Sequence, residues 1–180
     1  MNRGATYESL NLLDEAISDF SDALYLAPKS AILLSSRAAS YHARGQLLKA
    51  LADYTQSTSI DPALVPAWYN RGVLHKDLGE LEKAVVDYGK AILFDPENIN
   101  ALINRTLVCT ALGQYEPAIS DMNLVVSVDP SYAKTYLIRA SVHAKLGMAA
   151  QYLANLNHAV SLGMDRAAAE LNIGSITSSH

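Results

Sequence analysis

Apolar residues return along the chain every three or four positions, the period of a helix face rather than the two of a strand. Residues 65–98, VPAWYNRGVLHKDLGELEKAVVDYGKAILFDPEN, show the pattern most fully. Trp68, Arg71, Gly72 and His75 share one helical face, and Ala84, Tyr88, Ala91 and Ile92 share another. Pro66 suits a first helical turn, where its missing N–H is not needed. Gly79 stands where the first helix must stop in a left-handed residue. Asp95-Pro96 ends the second, because a residue before proline is pushed out of the α region. The segment predicts two antiparallel helices joined by a tight turn.

That hairpin recurs. Pro28, Pro62, Pro96 and Pro130 are spaced by 34 residues, as are Gly45, Gly79, Gly113 and Gly147. Ala16, Ala50, Ala84 and Ala118 keep the interval, and so do Arg3, Arg37, Arg71, Arg105 and Arg139. Asp19, Asp53, Asp87 and Asp121 form a fifth column whose next slot holds Asn155. A fixed period of this length marks a repeat architecture.

The unit resembles the tetratricopeptide repeat, a 34-residue helix–turn–helix with W-x₂-L-G-x₂-Y, then A-x₃-F and a closing proline. Trp68, Gly72, Ala84, Tyr88 and Pro96 match that pattern, and Gly4, Tyr7, Ala16, Phe20 and Pro28 match it in the first unit. The resemblance covers residues 1–166 and implies an all-α fold, an α-solenoid of helix–turn–helix units wound into a right-handed superhelix. The expected units are 1–30 (partial), 31–64, 65–98, 99–132 and 133–166. The first lacks four residues and shows no cap, which suggests a piece of a longer array or a shortened isoform of one. The last is degenerate, with Tyr152 in the alanine slot and Gly163-Met164 in place of Asp-Pro. Residues 167–180 are expected to add a short covering helix, from Arg166 to Asn172, and a fraying tail.

Composition narrows the function. Of 180 residues, 50% are hydrophobic and 18% charged, enough for a buried core. The net charge of −4 supplies no basic face for nucleic acid, and RNA reading by the related pentatricopeptide repeats is disfavoured for the same reason. The longest uncharged stretch, Leu146 to Met164, carries Gln151, Asn155, Asn157 and His158, so no membrane span is expected. The N-terminus shows no apolar signal segment. A single cysteine, Cys109, fits a reducing compartment, and the expected location is the cytoplasm.

No HExxH, glycine-rich phosphate loop, GxSxG or CxxC occurs, so no catalysis, cofactor or metal is expected. His75, Cys109 and His143 share one column, but residues one repeat apart cannot close on one ion, and core packing is the better reading. His42 and His158 read as isolated surface residues. Each arginine of its column is expected to pair with the aspartate of the following helix. Asp14-Glu15 and Glu80/Glu82 are expected at turns opening second helices, where they complement the helix dipole.

The resemblance implies that first helices line a concave groove in which a partner peptide or helix lies. Carried over, the groove residues are Tyr69, Asn70, Val73, Lys76, Ile103, Asn104, Leu107, Lys134 and Leu137. His42, Ser36 and Ala39, and in the first unit Ala5, Glu8 and Ser9, extend it. Asn2, Asn70 and Asn104 share a column like the asparagine ladder of O-linked GlcNAc transferase relatives, whose amides can both donate to and accept from a peptide backbone. Tyr69, Val73, Ile103, Leu107 and Leu137 make the face apolar. A chaperone-type carboxylate clamp is incomplete, with Tyr69 and Val73 in its Lys/Asn slots and Ile138 in its arginine slot. The expected role is a non-catalytic protein-binding scaffold; the alternative is a targeting arm of a larger enzyme such as a glycosyltransferase. Self-association is expected through Tyr7, Leu10, Leu13 and Ile17 of the uncapped first unit.

Overall fold

The computed structural model describes residues 3–178, with side chains described for residues 12–174. The expectations placed on the side chains of Asn2, Arg3, Ala5, Tyr7, Glu8, Ser9 and Leu10 lie outside the described residues. Among those described, the chain forms ten helices and no strand: α1 (Arg3–Leu26), α2 (Ala31–Ala43), α3 (Leu47–Ile60), α4 (Val65–Asp77), α5 (Leu81–Phe94), α6 (Ile99–Ala111), α7 (Tyr115–Val128), α8 (Ala133–Lys145), α9 (Ala149–Ser161) and α10 (Arg166–Ser178). It is an all-α helical repeat solenoid. The helices divide into two compact units, Met1–Asp95 and Pro96–His180.

Within each unit, consecutive helices pair as hairpins: α2 with α3 and α4 with α5 in the first, α6 with α7 and α8 with α9 in the second. The turns follow from the glycine column. Gly79 takes φ +75°, its N–H bonds the Lys76 carbonyl at 2.9 Å, and the Glu80 N–H bonds the His75 carbonyl at 2.8 Å. This pair of bonds satisfies the last carbonyls of α4 and reverses the chain. Second helices end differently. Asp95 closes α5 in an extended conformation, φ −140°, as its proline neighbour requires.

The opening segment departs from the repeat. Period alone predicts a turn near position 11, yet α1 runs unbroken from Arg3 to Leu26. The column that supplies glycine to the later turns holds Asn11, and no described non-glycine residue has positive φ. Without a residue that enters the left-handed region cheaply, the helix continues. Asp14 and Glu15 therefore sit inside a helix, not at its start. Asp14 instead accepts from Arg44 at 2.9 and 3.3 Å, and that hydrogen bond raises the Arg44 guanidinium above its ordinary pKa.

Small residues let each hairpin close tightly. Ala50, Ala84 and Ala118 are fully buried, and Tyr54, Tyr88 and Met122 fill the space one turn further on. The ring of Tyr88 lies against Gly72, where an added Cβ would stand 2.8 Å from the ring edge. Fully burying a large apolar side chain is worth about 1.5–3 kcal/mol, so these columns account for much of the hairpin stability. Trp68 and Tyr136, two repeats apart in one column, each anchor a first helix to the loop before it. Trp68 Nε1 donates to the Pro62 carbonyl at 2.8 Å, and the Tyr136 hydroxyl donates to the Pro130 carbonyl at 2.9 Å.

Candidate partner-binding surface

The arginine and aspartate columns meet as expected. Arg37 donates to both oxygens of Asp53 at 2.7 and 3.0 Å, Arg71 to both of Asp87 at 2.7 and 2.8 Å, and Arg105 to both of Asp121 at 2.8 and 2.5 Å. The carboxylates are nearly or wholly buried. Hydrogen bonding to the carboxylate holds the Arg37 and Arg105 guanidiniums above their ordinary pKa. Arg37 also reaches back to Ser21 at 3.1 Å, and Arg71 to Thr58 at 3.0 Å, so one side chain ties three helices. With their forks engaged internally, these arginines are structural and not receptors for an anion.

In the last repeat Arg139 meets Asn155 Oδ1 at 2.7 Å and Asn123 Oδ1 at 2.9 Å. Lacking an aspartate partner, its pKa is lowered by burial. The Asn155 amide nitrogen sits 3.1 Å from Nδ1 of His143. Burial, reinforced by Arg139, depresses the His143 pKa.

The histidine–cysteine column lies in the core. His75, Cys109 and His143 are all buried, each within its own repeat. Burial pushes the Cys109 thiol up, away from the thiolate that nucleophilic chemistry needs. His75 is more than packing material, however: its Nδ1 lies 2.6 Å from Glu80 and its Nε2 3.7 Å from Asp87. Glu80 is held below the usual carboxylate range by Lys83 first and His75 second. Sequence reading missed this network because Glu80 falls in a turn column filled elsewhere by Gln46, Gln114 and Met148.

Two further expectations need correction. His42 is not isolated: its Nε2 lies 2.9 Å from Asp77, linking the C-terminal ends of α2 and α4. His158 is exposed but packs its ring 4.1 Å from that of Tyr136. Neither pairing is visible in sequence, because each partner lies more than 20 residues away.

Each unit carries one set of the residues that the resemblance assigns to the groove. In the first unit, α4 presents Tyr69, Asn70, Val73 and Lys76, all half-buried, beside Ser36 and Ala39 of α2. Tyr69 leans on the buried Tyr88, with ring centroids 6.0 Å apart. In the second unit, α6 presents Ile103, Asn104 and Leu107, also half-buried, and Lys134 is exposed at the start of α8. Leu137 does not belong to an open face. It is only 2% exposed and shares a core cluster with Tyr136, Ala140, Leu156, Ala159, Ala169 and Ile173. The physical reason is α10, which packs onto α8 and covers it. That helix also continues past Asn172 to Ser178, longer than expected from sequence.

On α1, Leu13 and Ile17 are half-buried, while Leu12, Tyr25 and Leu26 are the exposed large apolar residues among those described. No group of three metal-binding side chains occurs among the described residues, and no described helix is long and apolar enough to cross a membrane.

Comparison with known proteins adds family matches in three places. A tetratricopeptide repeat model matches residues 65–98, another matches residues 1–30, and a TPR repeat model matches residues 38–79. No curated protein matches the chain. Among solved structures, MamA is 18% identical with a TM-score of 0.79, over 90% of this chain and 95% of MamA. YrrB, described as a TPR protein with an unusual peptide-binding site, is 20% identical with a TM-score of 0.75, over 87% of this chain and 81% of YrrB. A tetratricopeptide repeat protein from Parabacteroides merdae is 24% identical with a TM-score of 0.79, over 96% of this chain and 74% of that one. At these identities the likeness is one of fold.

Proposed function

The chain is a tetratricopeptide repeat protein, and from that premise we propose that it is a non-catalytic scaffold whose first helices hold a partner peptide or helix on their inner faces. One observation carries this reading. Equivalent positions one repeat apart are apolar and half-buried in each unit taken by itself: Tyr69 with Val73 on α4, and Ile103 with Leu107 on α6. Residues of this kind, beside the amides of Asn70 and Asn104, combine apolar anchoring with groups that can both donate to and accept from a backbone. YrrB, a structural neighbour with a peptide-binding site, supports the same reading. Lys76 and Lys134 add positive charge beside the two patches and favour a partner segment carrying acidic residues. Leu137, being covered, is not assigned to the surface.

Affinity capture from cell lysate, comparing wild type with Leu107→Glu/Asn104→Ala and separately with Val73→Glu, tests the proposal. Each variant places a charge or removes an amide on a surface face, so helicity by circular dichroism is expected to persist. Proteins retained by wild type and lost from a folded variant would support the inner-face site. Identical retained sets for all three proteins would refute it.

A further inference from the structure

The last helix does not continue the stacking of the repeats before it. α8 packs more extensively on α7 than on α6, as a repeat following its predecessor does, whereas α10 packs more extensively on α8 than on α9. The cause lies in the turn. α7 ends in extended Asp129, φ −137°, before Pro130, but α9 ends as a first helix ends. Gly163 takes φ +96°, its N–H bonds the Val160 carbonyl at 2.9 Å, and the Met164 N–H bonds the Ala159 carbonyl at 3.3 Å. The chain is thereby turned back across the hairpin, and Asp165 caps the new helix by accepting from the Ala168 N–H at 2.9 Å.

The face that α10 reaches corresponds to the proposed binding surface. Leu137, Ile138 and Ser141 of α8 stand one repeat after Ile103, Asn104 and Leu107 of α6. The α6 residues are half-buried; the α8 residues are at most 2% exposed, and Leu137 packs in one cluster with Ala169 and Ile173. Ala169 and Ile173 are the described α10 side chains that are buried, while Leu171 on the outer side is 76% exposed. Among the described α10 side chains only these two are buried, and few buried apolar contacts are the mark of a segment of low local stability.

We propose that α10 is a displaceable occupant of the inner face of α8, replaced by an amphipathic partner helix that presents a small residue and a β-branched aliphatic four positions apart, as Ala169 and Ile173 do. This rests on the inner-face reading of function and names the class of ligand that the last repeat takes. The chain then carries its own competitor, which lowers apparent partner affinity by the fraction of time that α10 is open.

The test uses the full chain and a fluorescein-labelled peptide of residues 165–178. Ile173→Asp, which releases α10, is expected to bind the peptide about 100-fold more tightly than wild type by anisotropy, and Ile173→Asp/Leu137→Asp is expected to lose it. In wild type, without substitution, amides of residues 169–173 are expected to exchange hydrogen about 100-fold faster than those of residues 155–159 in α9. Peptide binding no tighter to a folded Ile173→Asp variant than to wild type would overturn the proposal, as would equal protection of α10 and α9. The two readings fail separately. A partner lost with Leu107→Glu yet held equally by wild type and Ile173→Asp would sink displacement and spare the inner-face site. Peptide binding by the released α8 in a protein whose Leu107→Glu variant keeps its partners would do the reverse.

Discussion

The Arg71 guanidinium donates through Nε and Nη2 to both oxygens of Asp87, at 2.7 and 2.8 Å, across the hairpin of α4 and α5. The Asp87 side chain is 3% exposed, so the pair is desolvated and its geometry must be good to break even. Arg71→Ala strips that buried carboxylate of its guanidinium and leaves it facing only His75 Nε2, 3.7 Å away. The expected cost is about 3–5 kcal/mol, read from urea unfolding. A paired Arg71→Met/Asp87→Leu replacement is expected to recover most of it, since removing both charges removes the desolvation burden too. A double variant as unstable as Arg71→Ala would show that packing, not charge, is what Arg71 supplies.

Gly72 tests close packing in the same hairpin. Alanine there gains about 1 kcal/mol of helix propensity but puts a methyl 2.8 Å from the buried Tyr88 ring, which has no solvent side to move toward. Overpacking of this kind costs about 1–3 kcal/mol, so Gly72→Ala is expected to lower the unfolding midpoint. Adding Tyr88→Leu should relieve the clash, and a double-mutant cycle would read the coupling.

Trp68 offers a smaller effect with a clean readout. Trp68→Phe keeps a ring beneath Arg71, whose guanidinium lies 4.7 Å from the indole, but removes the N–H bond to the Pro62 carbonyl. The expected loss is about 1 kcal/mol by urea unfolding followed by circular dichroism.

Stability at mildly acid pH is expected to depend on His143. Its folded pKa is depressed by burial and by Arg139, so the folded state favours the neutral ring. The unfolded chain then binds more protons through this window, and stability rises with pH. The contribution is whole above the ordinary histidine value of 6.5 and is lost as pH falls through it toward the lower folded value. Thermal melts at pH 7.5 and 5.5 should show a larger drop for wild type than for His143→Gln. Equal drops would mean that His143 titrates alike in both states.

Much of this molecule was legible from the period alone. Helix ends follow from local chemistry: glycine at 45, 79, 113 and 147 reverses the chain, and Asp-Pro stops the next helix, wherever the rest of the protein lies. Arg37 with Asp53, Arg71 with Asp87 and Arg105 with Asp121 were readable because two columns with one spacing must meet in every repeat. Non-periodic features were not. Asn11 breaks the glycine column, and only the structure shows that α1 then runs straight. His42 meeting Asp77 depends on helices brought together by packing, and His75 meeting Glu80 five residues on across the turn has no repeating partner to announce it.

Leu137 draws the line most sharply. By column it belongs to the same inner face as Ile103, and its sequence neighbours give no reason to separate them. What buries it is the direction in which α10 leaves Gly163, and a single residue at φ +96° sets that direction. A repeating sequence determines each hairpin through contacts close along the chain; which inner faces stay open is decided by contacts between segments far apart in it, and those exist only once the chain has folded.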